Sequence, residues 1–252
     1  MGLPSFLENN MSDYTSWQYD EMKQIGKDYG SLAEVEAYDA RHGKFRNVKK
    51  ENEDILERLD VKADQLVIEF GTGTGVFALQ AARRCAHVYA VDVSRAMLEY
   101  AKRKTAKEGI TNVTFCHGGF LTYSHAASPA DAIVTNTALH HLPDFWKGMA
   151  LLRLNKMLKS GGQLYLSDVI FEDRDVRKNI DRFMAKLEQA AGPDIRKDVE
   201  AHIRQEYSTY DWIMDGLLER AGFQILCKTM HEGVIGRYLC RKERECAAGE
   251  GA

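Results

Sequence analysis

The sequence predicts an α/β protein built on a doubly wound parallel sheet. From Gln65 onward, five strand-length apolar runs alternate with segments of helical period, and the first of these runs ends directly in three glycines. Strands separated by helices place a parallel sheet between two helical layers.

Residues 1–60 read as a polar, helical N-terminal cover, with helix signals at Leu32 to Tyr38 and Glu51 to Leu59 and no strand-like run. Leu66-Val67-Ile68-Glu69-Phe70 suits a strand buried on both faces. A helix is predicted over Val76 to Arg84, a strand over His87 to Val93, a helix capped by Ser94 and reaching Lys107, and a strand over Asn112 to His117. The alternation continues with a strand Asp131 to Asn136 and a helix Asp144 to Lys159. Lys156 and Lys159 lie at the end of that helix, ahead of Gly161, and a strand Gln163 to Val169 follows. There it stops. Residues 171–210 read as charged amphipathic helices broken at Gly192-Pro193, a helical insertion or lid. A last helix, Asp211 to Ala221, leads to the runs Phe223 to Thr229 and Gly233 to Cys240, whose short link makes them an antiparallel hairpin. Residues 243–252 read as a disordered tail, which leaves 61–242 as the main domain.

Composition narrows the function. With 252 residues, 44% of them hydrophobic and 28% charged, and only four prolines, the chain is globular rather than disordered. No apolar run approaches the ~18 residues of a membrane span. The N-terminus lacks the basic and then apolar pattern of a secretory signal, so a cytoplasmic location without membrane contact is expected. The balance of 34 basic against 37 acidic residues weighs against a nucleic-acid partner. Cysteines at 85, 116, 227, 240 and 246, without a C-x-x-C pair, argue against a disulfide framework and a structural metal.

The chemistry concentrates at Glu69-Phe70-Gly71-Thr72-Gly73-Thr74-Gly75, where a strand turns sharply against a ligand. Counting from Gly71, the third glycine arrives one residue early for the G-x-G-x-x-G dinucleotide fingerprint, which argues against NAD or FAD. Asp92 ends the second strand, where a carboxylate can accept from both hydroxyls of a ribose. Loop and acid together imply a nucleoside ligand.

Through the E-x-G-x-G-x-G loop of Glu69 to Gly75, Asp92, the segment Thr135-Asn136-Thr137-Ala138-Leu139-His140-His141-Leu142-Pro143-Asp144 and Leu158-Lys159-Ser160-Gly161-Gly162, the sequence resembles the class I S-adenosylmethionine-dependent methyltransferases. The resemblance spans about Gln65 to Lys242. It implies a Rossmann-like seven-stranded sheet of order 3-2-1-4-5-7-6 with the last strand antiparallel. S-adenosylmethionine is the implied cofactor and S-adenosylhomocysteine the product. By the same resemblance Gly71 and Gly73, with Thr72 between them, lie against the methionine and ribose parts, and Asp92, followed by Val93, holds the ribose. Asn136 then turns its carbonyl to the methionine amino group, and Glu69 acts through water. The histidine segment also resembles that of ubiquinone and menaquinone methyltransferases. The family commonly has a Gly-Asp pair after the third strand, whose carboxylate accepts the adenine amino group, whereas this chain has His117-Gly118-Gly119-Phe120. Adenine is therefore expected to rest on backbone near Gly119, on Phe120 and on Met97.

His140 and His141 follow the fourth strand, at the edge where open α/β sheets bind ligands, and either could take a proton from an acceptor. Their order gives no metal geometry by itself. The basic cluster of Arg41, His42, Lys44, Arg46, Lys49 and Lys50 offers contacts to a substrate, chiefly through Tyr38, Arg41 and Arg46. Aromatics at Tyr14, Trp17, Tyr19 and Tyr29 carry no assigned role. The leading expectation is methyl transfer to a small molecule, with oligomeric state undetermined. An RNA or protein methyltransferase, a non-catalytic cofactor-binding subunit and, last, a nicotinamide dehydrogenase are the rivals.

Overall fold

The computed structural model describes residues 16–23, 35–36, 38–40, 43 and 46–245. Expectations for Arg41, His42, Lys44, Tyr14, Tyr29, Cys246 and most of the segment Leu32 to Tyr38 lie outside these residues.

Helix α1 (Val48–Leu59) opens the continuous chain, capped by the Asn47 side chain, which accepts from Lys50 N. Strand β1 (Leu66–Phe70) runs to α2 (Val76–Ala82), then β2 (His87–Asp92), α3 (Arg95–Lys107) and β3 (Val113–His117). The Ser94 hydroxyl caps α3 by accepting from Met97 N. Strand β4 (Ala130–Asn136) passes through a 3-10 turn, Leu139–His141, to α4 (Asp144–Met157) and β5 (Leu158–Phe171). Helices α5 (Val176–Ala191) and α6 (Asp194–Gln205) break at Gly192-Pro193 as expected. The chain then forms β6 (Thr209–Tyr210), α7 (Asp211–Arg220), β7 (Phe223–His231) and β8 (Ile235–Lys242).

The sheet order is β3-β2-β1-β4-β5-β8-β7, with β8 antiparallel to both β5 and β7. Two-residue β6 pairs with the end of β5 and makes eight strands where seven are expected; without it the order is the expected one. The alternating strand faces feed two apolar layers. Ile68 and Phe70 pack with Leu151 and Leu154 of α4 and Leu218 of α7, while Val67 packs with Ile55 and Leu56 of α1 and Phe77 of α2. The chain reverses direction across the sheet between β1 and β4, and open α/β sheets bind ligands outside the strand ends at such a point.

Two local expectations are corrected. Helix α4 stops at Met157, because Leu158 pairs with Ala130 and begins a longer β5. Lys159 therefore sits in the strand and reaches Asp131 Oδ1 at 2.7 Å instead of ending the helix. Glu243 N, expected to begin the tail, still donates to Gly222 O at 3.0 Å.

Candidate active site

The turn after β1 is pinned from behind. Gly71 N and Thr72 N both donate to Val91 O, at 2.9 and 3.1 Å. Gly71 has φ +73° and backs onto the Ala138 side chain so closely that a Cβ would collide with it. One residue on, Gly73 N donates to Asp92 Oδ2 at 2.7 Å, and Ser94 N donates to Asp92 Oδ1 at 2.8 Å. A carboxylate offers about four acceptor positions, so these backbone donors leave Asp92 acceptor capacity for a ligand. Burial raises its pKa, and hydrogen bonds from Ser94 and Gly73 work against that rise.

Glu69 lies beneath the turn and accepts from Thr72 Oγ1 at 2.5 Å. Burial pushes it up to about 8, the Thr72 hydrogen bond offsets part of this, and the Asp92 charge adds to it. Glu69 is thus protonated at neutral pH in the folded chain. Its contribution to stability is complete below the unfolded carboxyl range near ~4.3 and is lost as pH rises through about 8. Glu69→Gln cannot ionise, so its melting temperature should gain on the wild type as pH rises from about 4 to about 8 and hold steady above that. A difference that stays constant across that range contradicts a raised Glu69.

A partly open pocket lies beside the turn, lined there by Gly71, Gly73 and Asp92. Val93, Met97, Gly119 and Phe120 line its far end, with Met97 and Phe120 also buried in the core and Phe120 stacked on Phe70 at 5.1 Å. Position 119 carries no acid, but a carboxylate from elsewhere in the chain stands beside it. Glu21, from the N-terminal segment, accepts from Leu121 N at 2.8 Å and is only 8% exposed. Its Oε2 and Cδ lie 2.5 and 2.6 Å from where a Cβ on Gly119 would stand. The carboxylate therefore occupies the space into which an aspartate at position 119 would project. Its pKa is raised by burial, against hydrogen bonds from Thr122 and Leu121.

The same segment crosses the cavity. Tyr19 OH donates to His141 O at 3.2 Å, and Trp17 stacks on Trp146 of α4 at 6.0 Å. Tyr38 lines both this cavity and a wider neighbouring cleft, whose wall includes Asn136, Thr72, Glu69 and Arg46. Arg46 is held by Glu51 at 2.6 Å and Lys50 by Asp54 at 2.9 Å, so these two basic charges are already balanced.

The two histidines part company. His141 lines the cavity. Burial and the neighbouring His140 push its pKa down to about 4, which keeps the ring neutral. His140 turns inward and is 4% exposed, with Nδ1 against Asp168 Oδ1 at 2.5 Å and Nε2 3.1 Å from Glu206 Oε2. Burial opposes its charge, but the two carboxylates outweigh burial and push it up to about 9. With both ring nitrogens engaged, His140 offers no free base to the cavity. Sequence reasoning did not single out Glu21, Asp168 or Glu206. Asp168 carried a signal, an acid inside an apolar strand, and such a residue needs a buried partner.

Comparisons with known proteins agree on one family. The methyltransferase domain family matches residues 67–162. An uncharacterized methyltransferase of Geobacillus sp. (strain WCH70) is 30% identical over 191 residues, covering 76% of this chain and 83% of that protein. A SAM dependent methyltransferase from Aquifex aeolicus superposes with a TM-score of 0.60 at 20% identity, over 84% of this chain and 98% of that one. An S-adenosylmethionine-dependent methyltransferase from Clostridium acetobutylicum does so with a TM-score of 0.63 at 13% identity, over 82% and 96%. At these identities the two solved structures show the fold.

Proposed function

The chain belongs to the class I S-adenosylmethionine-dependent methyltransferases, and from that premise we propose that it methylates a small molecule held at the His141 end of the cavity. The enzyme's cofactor is S-adenosylmethionine, which supplies a methyl group on an activated sulfonium sulfur. The residues present fit it. Asp92 retains acceptor capacity for the ribose hydroxyls, and the open side of Gly73 leaves room for the amino-acid part, towards Asn136. Glu21 stands ready for the adenine amino group between Val93, Met97 and Phe120.

One observation carries the small-molecule reading. The segment 16–23 spans the cavity and is tied to both walls, through Tyr19 to His141 O and through Glu21 to Leu121 N. A small acceptor fits beneath such a strap, while a nucleic acid or a folded protein would have to displace it. Neutral His141 can accept a hydrogen bond from an acceptor hydroxyl, thiol or amine and so orient it. Alignment of this kind can supply ~7–11 kcal/mol of a barrier, so positioning outweighs any single base. Residues 16–23 cover the cavity and exclude water from it, and helices α5 and α6 would serve as a lid on the neighbouring cleft, whose wall includes Ala190.

The test uses cofactor with a radiolabelled methyl group, offered to a panel of small thiols, phenols and amines, to RNA and to denatured protein. Label in a small molecule is the expected outcome. Label only in RNA or protein overturns the small-molecule reading. Cofactor binding without transfer to any acceptor makes the chain a non-catalytic subunit.

A further inference from the structure

We propose that His140, His141 and Glu206 form a binding site for a divalent metal ion of the zinc class at the acceptor end of the cavity. One ring nitrogen from each histidine and one carboxylate oxygen of Glu206 lie within 4.8 Å of one another. His140 Nε2 and Glu206 Oε2 are 3.1 Å apart. Two ligands at ~2.0–2.2 Å on a tetrahedral ion stand roughly that far from each other.

The surrounding hydrogen bonds fix the donor atoms. Asp168 grips His140 twice, accepting from its backbone N at Oδ2 (3.0 Å) and from its ring Nδ1–H at Oδ1 (2.5 Å). With Nδ1–H held by Asp168, Nε2 and Glu206 Oε2 share a proton at 3.1 Å, and a metal ion would bind by displacing that proton and taking up the two donor atoms it leaves. Carboxylate support behind a ligating histidine is the usual outer partner of a metal ligand. Glu206 is supported in the same way: His202 Nδ1 is paired with its Oε2, and His202 Nε2 meets Ser208 Oγ at 2.9 Å. The fold delivers Glu206 from a distant part of the chain. Tyr207 N donates to His140 O at 2.8 Å, and β6 then joins β5.

Two imidazoles and one carboxylate are borderline ligands suited to zinc. Three protein ligands leave a coordination position open, and His141 lies on the cavity wall, so an oxygen or sulfur of the acceptor could complete the shell by displacing water. That role rests on the methyl-transfer reading; metal binding itself does not.

The test is titration of the full chain, stripped with a chelator, with Co2+ as a spectroscopic probe, followed by Zn2+ as competitor. The expected result is one equivalent of Co2+ in a low-symmetry site, displaced by Zn2+. Affinity should fall at least about tenfold in His141→Ala and in Glu206→Gln. Circular dichroism checks both folds, and His141→Ala, altered at the cavity wall, decides the matter if Glu206→Gln does not fold. No uptake by the wild type overturns the proposal and leaves a proton shared between His140 and Glu206. Uptake unchanged in the variants overturns it as well, because the ion then binds elsewhere. Calorimetry with S-adenosylhomocysteine on the same samples separates this outcome from failure of the methyl-transfer reading.

Discussion

Asp92→Ala is expected to weaken S-adenosylhomocysteine binding by on the order of a hundredfold while the sheet stays folded. Hydrogen bonds to a charged group contribute about 1.5–3 kcal/mol each, and ~1.4 kcal/mol is tenfold in affinity. Loss of both ribose contacts reaches that figure. The substitution also leaves Gly73 N and Ser94 N without their acceptor, so the glycine turn loses the clamp that holds it against β2. Asp92→Asn keeps one acceptor oxygen and should fall between the wild type and Asp92→Ala. Calorimetry gives the affinities and far-UV circular dichroism the fold. Wild-type affinity in Asp92→Ala would show the carboxylate to be purely structural.

The second large effect concerns Glu21 and Gly119. Glu21→Ala should cost about tenfold in affinity for S-adenosylhomocysteine. It should also erase discrimination against the analogue in which the adenine amino group is replaced by oxygen, since that analogue turns an acceptor towards the carboxylate. Gly119→Asp alone should be at least as damaging, because its Cβ would meet Glu21 Oε2 at 2.5 Å and Val93 Cγ1 at 2.8 Å. Combining the two changes removes the first collision and supplies an acid at the same place. The double variant should therefore recover part of both affinity and discrimination, limited by the Val93 contact. Additive losses in the double variant contradict the exchange of one acid for the other.

What was legible in the sequence was local. The strands of the parallel sheet are buried on both faces, so they appear as continuous apolar runs, and their order follows from the alternation with helices. Asp92 and the glycine turn were legible because they sit on adjoining β-strand ends. The end of α4 was misread because Lys156, Lys159 and Gly161 are good helix-stop residues, whereas the pairing of Leu158 with Ala130 depends on β4. Glu21 was out of reach for a similar reason: nothing in residues 16–23 shows that they cross a cavity formed far along the chain. Adjacent His140 and His141 looked equivalent as letters. The 3-10 turn Leu139–His141 sends one ring into the acids of β5 and residue 206 and the other to the cavity wall.

The central claim is that the cavity beneath the N-terminal segment takes the cofactor, with Glu21 replacing the acid absent at position 119. A crystal structure of the wild-type chain with S-adenosylhomocysteine tests it most directly. The expected result is the ribose on Asp92 and the adenine amino group within hydrogen-bond distance of the Glu21 carboxylate. Adenine bound without Glu21, with the segment 16–23 displaced from the cavity, would contradict it.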